Sequence, residues 1–172
     1  MAIQRPTQLV QASVSEMRQL QSWFNNAGQQ HSWGGDNFTY PCTEQQFLSL
    51  LNRPATDSYS LIDADTAHLV GFGQICDRFG CHHLARLIIA PGCRGQGLAK
   101  TLLCELFIKA RQQPSRPFSL YVHRHNQIAV ELYRKMGFGV TAPPETENAR
   151  LFFMTLNADQ AAVLANNYLS RC

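Results

Sequence analysis

One segment limits what this chain can fold into more than any other: Leu87-Ile88-Ile89-Ala90-Pro91-Gly92-Cys93-Arg94-Gly95-Gln96-Gly97-Leu98-Ala99-Lys100. An apolar strand pattern ends at Pro91-Gly92, a glycine-rich turn follows, and a helical pattern begins. Backbone N–H groups in a first helical turn lack intrahelical partners, and the helix dipole is positive there. Glycine lets the backbone come close to a ligand, and Arg94 and Lys100 add positive charge. Physically the segment is a phosphate cradle. Gly92 and Gly97 have Walker A spacing, but Leu98 stands where that loop needs lysine. Gly95-Gln96-Gly97 also fails the dinucleotide fingerprint, which continues to a third small residue and sits on an early strand. The plain alternative is a strand–helix turn whose glycines serve packing.

The rest of the chain alternates helical and strand periods. Ser13-Val14-Ser15-Glu16 opens a helix with a capping box. Met17, Leu20 and Phe24 continue it, with Gly28 as its stop. Residues 29–42 read as a loop. Thr43-Glu44-Gln45-Gln46 starts a second helix, which Pro54 ends. Tyr59–Ile62 and Leu69–Ile75 read as a hairpin around Asp63-Ala64-Asp65-Thr66. Leu84–Ile89 reads as a strand buried on both faces. Leu98, Leu102, Leu106 and Ala110 mark a helix over 96–112. Phe118–Val122 is a strand, and Asn126 caps a helix carrying Ile128, Leu132 and Met136, closed by Gly137. Leu151–Leu156 is a late strand, and Asn157 caps a last helix reaching Leu169. This order predicts an α/β (α+β) fold, a mixed sheet with helices on both faces.

Composition removes several classes. The chain has 172 residues, 45% hydrophobic and 16% charged, which excludes a disordered chain or coiled coil and favours one domain over 1–172. No apolar run reaches the roughly 20 residues a membrane span needs. A net charge of +3 is too small to argue for nucleic acid. Met1–Pro6 lacks a signal-peptide core. Six scattered cysteines without a C-x-x-C pair read as reduced thiols of a cytoplasmic protein. Cys76, Cys81, His82 and His83 match no structural zinc spacing, so no metal is expected; they read as residues around a hairpin turn.

A second segment gives the cradle its meaning: Asn126-Gln127-Ile128-Ala129-Val130-Glu131-Leu132-Tyr133-Arg134-Lys135-Met136-Gly137-Phe138. The pair R-G-Q-G-L-A and N-x-x-A-x-x-L-Y-x-x-x-G-F resembles the GNAT superfamily of acyl-CoA-dependent N-acetyltransferases. The resemblance is dense from Leu69 to Phe138 and follows element order from 7 to 157; residues 158–172 fall outside it.

The resemblance implies a mixed, largely antiparallel sheet with a splayed strand 4/strand 5 cleft between 83–90 and 117–123, where acetyl-CoA lies as cosubstrate. It implies that Leu87, Ile88 and Ile89 meet the pantetheine and acetyl group through their backbone. Arg94, Gly95, Gln96, Gly97, Leu98, Ala99 and Lys100 hold the pyrophosphate, Asn126 contacts the pantetheine arm, and Tyr133 faces the sulfur as proton donor. The reading from residues alone leaves Tyr133 as a core aromatic.

The implied reaction is direct transfer of acetyl to a primary amine of a small molecule or protein N-terminus. An alkylamine of pKa ~10.4 is almost wholly protonated at neutral pH, so a base or water chain is needed. In the related ribosomal-protein alanine acetyltransferases the position matching Tyr121 is typically a glutamate; here Leu120-Tyr121-Val122-His123 has no carboxylate. His123 and Asp36 are the substitutes, against the alternatives of a surface histidine beside Arg124 and His125 and an ordinary aromatic-anchored loop at 31–38. Trp33 is read as the apolar wall of the acceptor site, with Asp36 and Tyr121 beside it. Competing readings are another acyl-CoA donor and a non-catalytic acetyl-CoA-binding regulatory module. Monomer and homodimer both remain open.

Overall fold

The structure, a computed structural model, describes residues 6–172. Residues 1–5, most of the stretch read above for a leader, lie outside the described residues. Among the described residues, seven strands form one sheet in the order β1-β2-β3-β4-β5-β7-β6, mostly antiparallel, with a parallel β4–β5 pair, and there are six α-helices. The chain divides into two compact units: residues up to Gln74 with Arg86–Leu102, and Ile75–Ala85 with Leu103–Cys172.

The first unit holds β1 (Thr7–Gln11), α1 (Val14–Gln21), α2 (Ala27–Gly34), α3 (Glu44–Leu51) and β2 (Thr56–Asp63). It also takes the start of β3 (Leu69–Arg78), the end of β4 (Cys81–Ile89) and the start of α4 (Leu98–Ala110). Both capping boxes form, Ser13 with Glu16 and Thr43 with Gln46. β1 runs antiparallel to β2 from Thr7↔Asp63 to Gln11↔Tyr59.

The helix after Ser13 is shorter than its periodicity predicts, because Ser22 caps it. Gly28 does not stop that helix; it lies inside α2, where a loop was expected. The sequence of α2, AGQQHSWG, has a single large apolar residue and two glycines, so it carries no stripe. Its order comes from tertiary contacts. The Asn26 side chain caps it, and buried Gln30 donates to the Thr39 carbonyl at 2.9 Å. Trp33 enters an aromatic cluster, stacking on Phe47 at 5.8 Å with Phe24 at 4.8 Å and Phe38 at 5.4 Å. Gly34 is needed there, since a Cβ on it would sit 2.5 Å from Phe38 Cδ2.

The second unit holds the β3–β4 turn, most of α4, β5 (Phe118–His123), α5 (Gln127–Lys135), β6 (Gly139–Thr141), β7 (Leu151–Leu156) and α6 (Ala158–Leu169). The two turn residues, Phe79 and Gly80, both have positive φ, 60° and 66°, as a type I′ hairpin turn requires. A left-handed phenylalanine costs about 1–2 kcal/mol. Its ring is held edge-on by His83, Tyr121 and Phe153, with the Arg78 guanidinium 4.4 Å from its centroid. The parallel ladder joins His82↔Phe118 to Leu84↔Leu120, and β5 pairs β7 from Phe118↔Leu156 to His123↔Leu151. β1 and β6 had no counterpart among the expected strands; β1 sets Leu9 beside Val10 and so shows no alternation, and β6 is three residues long.

Phe47 is fully buried, so Phe47→Ala should lower unfolding free energy by about 3–5 kcal/mol, whereas Thr43→Ala, removing only a cap, should cost about 1 kcal/mol. Urea denaturation followed by tryptophan fluorescence separates the two.

Candidate active site

Of the residues expected to meet the donor, Leu87–Ile89 and Arg94–Lys100 sit in the first unit, on the end of β4 and the turn into α4. β4 is fully buried only from Cys81 to Leu84; Ala85 to Ile89 are half-buried. The expectation of a strand buried on both faces therefore fails for its second half. The change coincides with Arg86, whose φ of 52° breaks the extended backbone. That residue is one the sequence reasoning missed. Its signal was a single charge inside the apolar run Leu84-Ala85-Arg86-Leu87-Ile88-Ile89.

Arg86 is pinned on three sides. Its carbonyl accepts a hydrogen bond from Trp33 Nε1 at 2.9 Å. Its guanidinium donates to Gln74 Oε1 at 2.7 Å and lies 5.3 Å from the Phe38 ring centroid. Gln74 is fully buried and in turn donates to the Leu51 carbonyl and to Ser58 Oγ.

Beyond β4, the Arg94 Nε donates to the Ile89 carbonyl at 3.2 Å, closing the turn. Gly95 and Gly97 adopt φ of 74° and 78°, a region L side chains rarely enter. A Cβ on either would meet nothing within 4 Å. Arg94, Gly95, Gln96, Gly97 and Lys100 are exposed, while Leu98 is buried and anchors the helix. The glycines are therefore required by backbone conformation, and the space in front of them is open. The 13-residue α4 starts there, and the N–H groups of its first turn have no intrahelical partners. A diphosphate fits this turn: bare backbone, a helix N-terminus and two cations.

The second unit carries Asn126 and Tyr133. Asn126 caps α5, accepting from the Ala129 N–H at 3.3 Å. Tyr133 is 9% exposed, with its ring edge-on to Phe138 at 5.9 Å. Burial pushes its hydroxyl from the ordinary tyrosine value up to about 12. It therefore holds its proton throughout the neutral range and presents an O–H donor.

The residues expected on the acceptor side are placed as follows. Trp33 is half-buried in the aromatic cluster, with its N–H on Arg86. Asp36 is 93% exposed, and its Oδ1 lies 3.1 Å from His31 Nε2. His123 is half-buried at the end of β5, its ring 5.2 Å from that of His125. Tyr121, two residues earlier on the same face, is half-buried and donates its hydroxyl to Glu145 Oε1 at 2.8 Å. Glu145 is a second residue the sequence reasoning missed; it follows Pro143-Pro144 in a segment with no periodicity.

His82 and His83 flank the Phe79–Gly80 turn with Cys81, as the hairpin reading expected. His82 Nε2 lies 3.1 Å from the Pro114 carbonyl, and His83 Nδ1 lies 2.8 Å from Ser119 Oγ.

The profile of the acetyltransferase (GNAT) family matches residues 14–138. The chain belongs to that family. The match covers both motifs and runs through both units. A Bacillus subtilis protein provisionally assigned as a [ribosomal protein bS18]-alanine N-acetyltransferase is 29% identical over 127 residues, 70% of this chain and 83% of that one. The uncharacterized N-acetyltransferase YdgE of the same organism is 44% identical over 48 residues, 28% of this chain and 31% of that one. In fold, the chain resembles the spermidine N-acetyltransferase of Vibrio cholerae solved with CoA and spermine. There the TM-score is 0.72 at 19% identity, covering 91% of this chain and 98% of that one. This GNAT chain is an N-acetyltransferase, an enzyme that moves an acetyl group onto an amine. No helix among the described residues is long and apolar enough to cross a membrane.

The raised Tyr133 value makes a stability prediction with a definite sign. Below pH 10 the phenol is neutral in both folded and unfolded chains. Above it the unfolded chain ionises, while the folded phenol keeps its proton up to about 12. Stability should thus fall as pH rises through this window, by up to about 2–3 kcal/mol from this group. Tyr133→Phe should remove that fall, seen as a smaller difference between denaturation midpoints at pH 9 and 11.

Proposed function

We propose that this GNAT enzyme transfers acetyl from acetyl-CoA to a primary amine by direct attack, with no covalent enzyme intermediate. The observation that carries the donor assignment is the turn from Arg94 to Ala99, with Gly95 and Gly97 left-handed over open space at the start of α4. Arg94, Gly95, Gln96, Gly97, Leu98, Ala99 and Lys100 hold the pyrophosphate through backbone N–H groups and charge. Leu87, Ile88 and Ile89 offer backbone groups to the pantetheine and acetyl ends, and the Ile89 carbonyl is already engaged by Arg94. Asn126 contacts the pantetheine arm.

The amine nitrogen attacks the thioester carbonyl, and backbone N–H groups near the Arg86 bulge steady the oxyanion. Tyr133 supplies a hydrogen bond and then a proton to the departing sulfur. Its raised affinity for the proton keeps the O–H in place at neutral pH to meet the sulfur as the C–S bond breaks. On the acceptor side, Trp33 forms an apolar wall, Asp36 attracts an incoming ammonium, and Tyr121 and His123 lie on the face of β5. The two motifs support the donor; the acceptor is a small alkylamine or a protein N-terminus. Six cysteines, none of them in a disulfide, support a cytoplasmic site of action.

Gly97→Glu puts bulk and negative charge where the diphosphate lies, and should weaken acetyl-CoA at least 10-fold, about 1.4 kcal/mol. Calorimetric titration of the folded variant checks this, and unchanged affinity would remove the cradle assignment. Tyr133→Phe keeps the ring and loses the proton; kcat should fall about 10- to 100-fold, with cofactor affinity nearly unchanged. Stopped-flow thiol release under single turnover reads the chemical step.

A further inference from the structure

A carboxylate stands against the Tyr121 hydroxyl on β5. Glu145, from the segment between β6 and β7, accepts the Tyr121 hydroxyl at 2.8 Å through Oε1. Its other oxygen, Oε2, lies 3.0 Å from the Arg78 guanidinium, so the carboxylate is clamped from the end of β3. A phenol has one O–H. Once that is spent on Glu145, the oxygen can only accept, and the partner it takes must be a donor such as an amine N–H. Tyr121 also lines a groove of about 320 Å³ with Arg124, Val140, Pro143, Glu147 and Phe152. That volume suits a small organic ligand.

We propose that Tyr121 and Glu145 form the proton relay that deprotonates the acceptor amine, a role that rests on the N-acetyltransferase reading above. The ammonium N–H bond breaks and its proton joins the Tyr121 oxygen. At the same time the Tyr121 proton passes to Glu145 Oε1. Tyr121 ends as it began, the ammonium becomes a neutral amine, and the carboxylate becomes a carboxylic acid. Glu145 is 43% exposed and returns the proton to water. Arg78 keeps its charge throughout and positions the carboxylate. The Tyr121 phenol is pushed up to about 12 by burial and by Glu145, so it conducts a proton rather than standing as phenolate. The other titratable or charged groups around the pair are His83 from β4, whose ring is 5.7 Å from Tyr121, and Arg124 and Glu147 of the groove. Asp36 is paired with His31 at the surface, whereas Glu145 is the carboxylate bonded directly to β5.

The test uses primary alkylamines of one length, their basicity stepped down by fluorine at the far carbon, with acetyl-CoA as donor. A basic amine needs the relay before it attacks; a weakly basic one is already neutral. Glu145→Gln keeps the shape and still accepts from Tyr121, but cannot take the proton. The ratio of kcat/KM for the most basic amine to that for the least basic should fall at least about 10-fold in Glu145→Gln and in Tyr121→Phe. The double variant should be no worse than either single within about 3-fold, because both cut one chain. Melting temperatures establish that each variant is folded, and Tyr121→Phe carries the test if Glu145→Gln is not. Equal losses along the amine series, or additive losses in the double variant, would show a merely structural clamp and overturn the relay while leaving the acetyltransferase reading intact. A wild type that releases thiol with none of these amines, while acetylating a peptide N-terminus, overturns the relay's alkylamine role alone. A wild type inactive on every amine overturns both.

Discussion

A single hydrogen bond, from the Trp33 indole to the Arg86 carbonyl, ties together what is unusual in the first unit. Arg86 sits left-handed in the middle of a strand, at a cost of about 1–2 kcal/mol. The carbonyl and one guanidinium nitrogen of this residue both have hydrogen-bond partners inside the unit. The carbonyl goes to Trp33, and the guanidinium goes to Gln74 and Phe38. The same bond explains α2, which has too little apolar periodicity to form for its own sake. That helix exists because its tryptophan is held at one end by aromatic stacking and at the other by a strand carbonyl.

The sequence made some of this visible and hid the rest, for physical reasons. Helices with a side-chain cap, such as α3 and α5, are specified locally, so their starts were readable from Thr43 and Asn126. α2 was unreadable because its stabilisation is non-local. β6 was unreadable because three exposed residues carry no period. The cradle was legible because positive φ selects glycine, and Gly95 and Gly97 write that requirement into the sequence. Arg86 and Glu145 were not, because the first is a backbone event at a residue that does not announce it. The second is a contact between positions far apart in sequence.

The two halves of the chemistry have different kinds of specification. In the reaction proposed here, the donor side relies on main-chain groups and glycines, with Arg94 and Lys100 as its charged side chains. In the same proposed reaction the acceptor side relies on side chains, Tyr121 and Glu145 among them. A family can therefore keep its donor while each member changes its acceptor. Motif-level similarity then identifies the reaction sooner than the substrate. Aromatic rings pack around Tyr121 from Phe79, His83 and Phe153, so its hydroxyl position is set by packing as well as by Glu145.

The short strand β6 has a consequence for association between molecules. It is an edge of the sheet, and an open edge is a template on which a foreign strand can grow. Here that edge offers only Gly139–Thr141 before Pro143 and Pro144 follow, and neither proline has an N–H to donate. The rim is thus closed to further pairing by chemistry, not by cover. The same two prolines fix their own φ just before Glu145, so the unfolded chain has fewer arrangements to lose when that carboxylate is set in place. One dipeptide therefore guards the sheet against aggregation and lowers the entropy cost of placing Glu145.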